Sequence, residues 1–116
     1  MEPVYIDVHI HTSENPDCLN QDYDVDTLFA KIREQAQGQH ALISLTDHNT
    51  INKQAYINAM AKCGTDIHLL LGVELHIHYS LDTEAYHCHI FFKNDISEKT
   101  IDDINSILDT LYKQKR

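Results

Sequence analysis

The stretch DVHIHTS, residues 7–13, is the part of the sequence on which the interpretation of the fold depends. It is typical of a β-strand, and side-chain alternation places Tyr5, Asp7, His9 and His11 on one face. The same alternation places four apolar residues on the other face: Val4, Ile6, Val8 and Ile10. Two imidazoles about 7 Å apart on one strand face can close on a metal ion. Because H-x-H is a short pattern, two solvent-facing histidines on an edge strand are the competing interpretation.

Outward from this strand, hydrophobic periodicity and turn residues predict seven elements in the order β-α-β-α-β-β-α. A turn-rich loop at residues 12–23 leads to a helix that Asp24 caps and Gly38 ends. The later elements are a strand in ALISLTDH (41–48), a helix capped by Asn49 or Thr50 and ending at Gly64, extended runs at 67–79 and 85–92, and a helix capped by Ser97. The two extended runs are predicted to form a hairpin.

Strands that alternate with helices favour parallel βαβ units with right-handed crossovers. Ligands of such sheets gather at the carboxyl ends of the strands. His9 and His11 end the first strand, Asp47 and His48 end the second, and Glu74 lies late in the third. We therefore expect three groups of ligand-type residues, distant in sequence, to meet at one edge of a mostly parallel sheet.

Composition limits the classes of function. The chain has 116 residues, enough for one domain at most, and carries 9 basic against 18 acidic residues, a net charge of −9. This balance argues against a free-standing binder of nucleic acid or membrane surfaces, but a phosphate-bearing substrate stays compatible if bound cations supply positive charge. Three cysteines without C-x-x-C spacing argue against a disulfide framework. With no apparent signal peptide or membrane span, the expected location is the cytoplasm.

The histidines and acids form a mixed nitrogen and oxygen donor set: His9, His11, His48, Glu74 and His87. Imidazole suits zinc, iron and copper, and carboxylates bring manganese or magnesium into range. The set is larger than one tetrahedral ion needs, and a carboxylate can bridge. Two metal ions roughly 3.5–4 Å apart activate water and clamp a phosphoryl group in other enzymes.

The same stretches resemble the motifs of the PHP family, the metal-dependent phosphoesterase domain of histidinol phosphatases and bacterial replicative polymerases. DVHIHTS resembles the first motif, SLTDHNT (44–50) the second, LGVELH (71–76) the third, and YHCHIFFKN (86–94) carries the next histidine. The combination of HxHT with TDHNT is specific, whereas the later two motifs are weaker singly. The resemblance implies a partial PHP-type distorted (βα) barrel over residues 1–116.

By position, the resemblance makes His9 and His11 the opening metal ligands, His48 the ligand of the TDH motif and Glu74 the bridging carboxylate. It makes His87 the ligand that follows the hairpin. The family also takes a ligand from the loop after HxHT, for which Asp17 is the candidate; a turn or capping role for that acid is about as well supported. Two or three divalent ions (Zn, Mn or Fe) are implied.

Further histidines have weaker interpretations. His76 and His78 share the strand face of Glu74, and a solvated or hydrogen-bonded role is favoured over a pocket role by about two to one. His89 shares a face with His87 and replaces it if the strand register slips by two.

Two acids and two histidines complete the set of candidates. Asp7 and Asp47 each adjoin a ligand histidine and either orient its imidazole or form an ordinary strand-end hydrogen bond. His40 and His68 are expected to be surface residues.

A full PHP barrel has seven strands and continues to another histidine and a closing Asp-x-His. Residues after 98 lack these, and 116 residues are roughly half of what such a barrel needs. The chain is therefore expected to be a fragment, a degenerate half, or part of an oligomer that completes the barrel.

The expected reaction is hydrolysis of a phosphomonoester, or of a nucleic-acid phosphodiester reached through a larger protein, with the general acid unidentified. The alternatives are a non-catalytic metal-binding or interaction module, and a dimerising α/β domain with a dead site. No contact with a membrane is expected.

Overall fold

The computed structural model describes residues 4–13, 23–78, 80, 84, 86–93 and 95–112. Its elements are β1 (Val4–Ile10), α1 (Val25–Ala36), β2 (His40–Leu45), α2 (Lys53–Met60), β3 (Ile67–Ile77), β4 (Tyr86–Phe92) and α3 (Glu98–Tyr112). The strands form one four-stranded sheet in the order β1-β2-β3-β4. β1 pairs parallel to β2 and β2 parallel to β3, whereas β4 is antiparallel to β3. The protein is thus an α/β structure with a mixed sheet, and β3 and β4 pair as the hairpin prediction requires.

The ends of the first and last helices follow the predicted capping residues. The Asp24 carboxylate accepts a hydrogen bond from the backbone N–H of Thr27 at 2.9 Å, and the Ser97 hydroxyl accepts one from Thr100 at 3.1 Å. α1 ends at Ala36, and its C-cap is Gln37, with φ of 52°, one residue before the predicted Gly38. A short polar acceptor at the N-cap satisfies backbone donors that the helix leaves free, which is why these positions could be predicted.

The prediction for the start of α2 was wrong. Its N-cap is Asn52, which accepts from the backbone N–H of Ala55 at 3.1 Å, and not Asn49 or Thr50. The side chain of Asn49 instead accepts a hydrogen bond from the backbone N–H of His76 at 2.9 Å. Residues 49–51 therefore extend the connection along β3 before the helix begins.

The main core lies between the helices and the odd-numbered residues of β2 and β3. Ala41, Ile43 and Leu45 of β2 are buried in one cluster with residues of β3 and all three helices. The even-numbered neighbours on these strands point away from this cluster, and those nearest the amino ends of the strands, His40 and His68, are exposed. The sheet therefore has a helix-covered face and an opposite face, which we call the open face.

β1 does not keep the strict alternation that its sequence predicts. Its register against β2 shifts between Asp7 and Ile10, where one extra residue is accommodated. As a result Ile10 is buried with the core while Val4 and Ile6 are exposed, although all three were expected to share a face. A β-bulge of this kind re-aims the side chains that follow it, here those of His9 and His11.

Tyr56 of α2 marks the place where β2 and β3 separate. Regular pairing ends at Ser44 and Leu70 and resumes as a single bridge between His48 and Glu74. In the gap, the buried Tyr56 hydroxyl accepts hydrogen bonds from the backbone N–H groups of Leu45 at 3.2 Å and Gly72 at 2.9 Å. The hydroxyl replaces the missing ladder bonds, so the strands diverge without leaving these backbone donors unpaired.

Gly72 lies in the same gap. A Cβ atom there would be 2.5 Å from the Ser44 hydroxyl oxygen and 2.8 Å from Cδ1 of Phe91. Only glycine fits between these two side chains, and Glu74 follows two residues later on the same strand face.

Among the described residues, no helix is both long and apolar enough to cross a membrane.

Candidate metal centre

Glu74 is the centre of the candidate site. Its side chain is 2% exposed, and its backbone is held on the side of β2 by two hydrogen bonds. The Glu74 N–H donates to the carbonyl of Asp47 at 2.9 Å, and the N–H of Asn49 donates to the Glu74 carbonyl at 2.8 Å. These bonds bring the TDH segment after β2 against β3, as expected if ligand groups meet at one end of parallel strands.

Six imidazoles surround the Glu74 carboxylate and form what we call the histidine crown: His9, His11, His48, His76, His87 and His89. On the Oε1 side, the nearest ring nitrogens of His9, His87 and His89 lie at 3.4, 3.4 and 3.1 Å. On the Oε2 side, Nε2 of His11 and of His48 lie at 3.0 and 2.5 Å. Four chain segments thus converge on one carboxylate.

Strand pairing explains how β3 and β4 contribute to the crown. His89 is the direct cross-strand partner of Glu74, and His87 is the partner of His76. Directly opposed residues in an antiparallel pair project from the same face, so these four side chains stand together on the open face. The imidazoles of His76 and His87 stack with centroids 4.2 Å apart and planes 1° apart.

Ring contacts also join the crown across strands that are distant in sequence. The centroids of His9 and His89 are 4.4 Å apart, and those of His11 and His48 are also 4.4 Å apart. His48 in turn lies 4.4 Å from His76. The crown is therefore a continuous set of neighbouring rings, so several imidazole nitrogens face the same small volume above Glu74.

Asp47 ties the first two motifs together. Its buried carboxylate accepts hydrogen bonds from the backbone N–H of Thr12 at 2.5 Å, the Thr12 hydroxyl at 2.5 Å and the backbone N–H of Ser13 at 3.1 Å. Burial raises the pKa of Asp47, while these hydrogen bonds and the nearby His11 act in the opposite direction. The sequence left open whether Asp47 orients an imidazole or caps a strand end. These bonds hold Thr12 and Ser13, which directly follow His11, and so position the His11 imidazole indirectly.

The electrostatics favour a charged Glu74 and an uncharged His76. Burial alone would raise the pKa of Glu74, but the hydrogen bond from His89 and the nearby His48, His11 and His87 outweigh it, so the pKa is lowered. Burial, reinforced by His48 and His87, lowers the pKa of His76. An ionised carboxylate beside a deprotonated imidazole is the protonation state in which both groups bind a metal ion.

Two buried atoms of this cluster lack a hydrogen-bond partner. Glu74 Oε2 and His76 Nε2 are both enclosed, and the close approaches of His11 and His48 to Oε2 lack hydrogen-bond geometry. Buried polar atoms are almost always paired, so such atoms need an explanation. Both belong to a group, His48–Glu74–His76, whose donor atoms lie within 4.8 Å of one another, and a second such group is His9–His11–Glu74. These groups could each hold a metal ion, with Glu74 common to both.

The structure brings together most of the residues singled out in the sequence. His9, His11, His48, Glu74 and His87 all belong to the cluster, whereas Asp17 lies outside the described residues.

The geometry makes two other histidines, His89 and His76, stronger candidates for metal ligands than the sequence did. His89 is closer to Glu74 than His87 is, and its side chain is 27% exposed against 51%. His76, for which sequence favoured a merely hydrogen-bonded role, is a member of one metal-competent group. Its position two residues after Glu74 on one strand face was the available signal.

The chain matches no family model, no curated protein and no solved structure. The resemblance to the PHP family therefore depends on the four sequence motifs.

Acidification is expected to destabilise the metal-free protein in two steps. The folded pKa values of His76 and Glu74 are both below their ordinary values of 6.5 and 4.5, so the unfolded chain binds more protons than the folded chain. These groups stabilise the fold above their unfolded pKa values, and the stabilisation is lost as the pH falls through the folded ones. Thermal unfolding of chelator-treated protein from pH 8 to pH 4 should show Tm falling below about pH 6.5 and again below about pH 4.5.

A His76→Gln variant provides the control for the first step, because it removes one of the two groups and leaves Glu74 in place. We expect its Tm to vary less between pH 6.5 and 5. A wild-type Tm that rises on acidification through this range would contradict the assigned direction.

Proposed function

We propose that this chain forms the metal-binding portion of a PHP-like phosphoesterase. The observation that carries the proposal is a single buried carboxylate, Glu74, enclosed by six imidazoles, three of which lie at the carboxyl ends of the parallel strands β1 and β2. Two of the enclosed donor atoms have no hydrogen-bond partner, which an ion in the cluster would supply. The PHP motifs of the sequence coincide with the residues that form this cluster.

The donor set contains two groups that would each hold an ion. His9 and His11 with Glu74 would form one site, and His48 and His76 with Glu74 the other. His87 and His89 border Oε1 and complete the coordination or orient it, and Asp17 is a further candidate ligand. Nitrogen and carboxylate donors of this kind suit Zn, Mn or Fe.

The ions, when bound, would lower the pKa of a water molecule and offset charge on phosphate oxygens. The residues of the crown determine where the ions would bind and how a substrate would reach them. The side chains of His9 and His87 are both more than half exposed, so a phosphate ester reaches the crown from solvent. Because the chain has a net charge of −9, an anionic substrate depends on the cations that the crown holds.

The substrate is proposed to be a phosphomonoester, or a nucleic-acid phosphodiester that a larger protein delivers. A four-stranded sheet with helices on one face is compatible with part of a (βα) barrel, which is the architecture that we propose. The cytoplasm is the proposed location, because the cysteines lack the spacing of a disulfide framework or a C-x-x-C site.

Hydrolysis of p-nitrophenyl phosphate and bis-p-nitrophenyl phosphate, in buffer with Mn²⁺ or Zn²⁺, tests the proposal. We expect metal-dependent release of p-nitrophenol that a chelator stops and that is lost in a His9→Ala/His48→Ala variant. Gln39→Ala, an exposed substitution at the other end of β2, should retain the activity. Turnover that survives loss of both histidines would contradict the assignment.

A non-catalytic metal-binding module is the second candidate. It is favoured by the composition of the crown, which among the described residues consists of imidazoles around one carboxylate, the donor types of metal-binding sites. Metal binding without turnover on either ester would support this candidate. If the protein shows neither binding of Zn²⁺ or Mn²⁺ nor a thermal shift with them, the crown does not function as a metal site.

A further inference from the structure

The opposite end of the sheet carries two other histidines that the crown does not involve. His40 begins β2 and His68 is the second residue of β3. The strand register pairs His68 with Leu42, two residues after His40, so both histidines project from the open face. His68 and Glu74 are six residues apart on β3, which separates this histidine pair from the crown by about 20 Å.

The two imidazoles of the histidine pair are in direct contact. Nδ1 of His40 and Nε2 of His68 are 3.0 Å apart, and the ring planes are inclined by only 17°. Two imidazole lone pairs that face each other at this distance repel unless a proton lies between them. In the metal-free state, one ring nitrogen therefore donates a hydrogen bond to the other. Both side chains are exposed, so an ion from solvent has access to them.

The separation of the nitrogens corresponds to a known coordination geometry. With metal–nitrogen bonds of about 2.0–2.1 Å, cis ligands at 90° are about 2.9 Å apart and tetrahedral ligands about 3.3 Å apart. The 3.0 Å hydrogen bond therefore already holds the two nitrogens at a separation close to the cis value, which is the arrangement in tetragonal Cu²⁺ and Ni²⁺ sites. No third His, Cys, Asp or Glu among the described residues forms a group with the pair, so the other positions would be open to water or to a donor from another molecule.

We propose that the histidine pair, His40 and His68, is a second metal site, a two-histidine chelate for Ni²⁺ or Cu²⁺ that is independent of the crown. On binding, the hydrogen bond between the two nitrogens is broken and its proton is released to solvent, and the ion binds both lone pairs from a position off the line that joins the nitrogens. With two protein ligands the site binds more weakly than the crown, and its open positions distinguish it from an enclosed structural centre.

Calorimetric titration of the full chain with Ni²⁺ tests the site, with His40→Ala, His68→Ala and Gln39→Ala compared with the unsubstituted protein. We expect each histidine variant to lose one equivalent of bound Ni²⁺, or to bind that equivalent at least about tenfold more weakly, because a single imidazole remains. Gln39→Ala, next to His40 but without a ligand atom of this type, should keep it. The crown has the same residues in all four proteins, so the number of ions that it binds cancels in this comparison. The test of the histidine pair is therefore independent of the test of the proposed function.

A second readout identifies the residues directly. Substoichiometric Ni²⁺ is paramagnetic in a tetragonally distorted octahedral site and should broaden the imidazole NMR signals of both His40 and His68. Loss of the His40 contribution in a His40→Gln variant should also reduce the broadening at His68. Equal Ni²⁺ binding in all four proteins, with no broadening at the pair, would overturn the proposal.

Discussion

Replacing Glu74 by Gln is expected to abolish tight binding of Zn²⁺ or Mn²⁺ at the histidine crown while the fold is retained. Gln preserves the volume of the side chain and can still bond to His89, but it removes the negative charge that both three-residue groups share. A carboxylate that contributes to two ions cannot be replaced by a neutral amide without weakening both. We expect affinity to fall at least about 100-fold, equivalent to about 2.7 kcal/mol.

Calorimetry with each metal gives this loss directly, and thermal unfolding gives it independently. Stabilisation by a bound ion follows its concentration relative to Kd, so the metal-induced rise in Tm should shrink in the variant. Glu34→Gln is the matched control, because it removes the same charge from an exposed position on α1. Glu74→Gln protein that binds both ions as tightly as the control would show that the carboxylate is not a ligand.

Replacing Asp47 by Ala is expected to cause the largest loss of stability. The substitution leaves the N–H groups of Thr12 and Ser13 and the Thr12 hydroxyl without their acceptor in a buried region. Each unsatisfied buried donor costs about 1–3 kcal/mol, and the effects overlap, so we expect a loss of about 3–5 kcal/mol. For a domain of this size that is a large part of the total stability.

Urea unfolding of metal-free protein measures this effect. Thr12→Val, which removes one of the three donors and keeps the side-chain shape, should lose about 1 kcal/mol by comparison. Asp26→Ala, at an exposed position, should lose little. A midpoint for Asp47→Ala that is close to that of Asp26→Ala would mean that the Asp47 bonds do not hold the segment after β1.

The order of elements was predictable because each has a local signal. Asp24 and Ser97 cap helices with their own side chains, and the apolar residues of β2 and β3 alternate as a half-covered sheet requires. The convergence of His9, His11, His48 and Glu74 followed from the rule that parallel strands present their carboxyl ends at one edge.

The features that sequence missed depend on tertiary contacts. The faces of β1 were misassigned because a bulge, which no residue type announces, inserts one residue against β2. The start of α2 was misassigned because the Asn49 side chain is engaged by β3 and is not available to cap the helix. Both errors concern residues whose conformation is set by contacts with a strand that is distant in sequence.

The relative roles of His87 and His89 also depended on information that the sequence does not contain. They are two residues apart on one strand face, so alternation treats them alike. The β3–β4 register decides between them by setting His89 opposite Glu74 and His87 opposite His76. A turn of uncertain type does not fix such a register in advance.

The central claim is that Glu74 and the surrounding imidazoles bind metal ions between them. Crystals of the chain grown with Zn²⁺, with diffraction data collected at the zinc absorption edge, test it most directly. The account predicts anomalous peaks about 2.0–2.2 Å from the Glu74 oxygens and from nitrogens of His9, His11 and His48. Crystals in which zinc occupies other parts of the surface, with no peak beside Glu74, would contradict it.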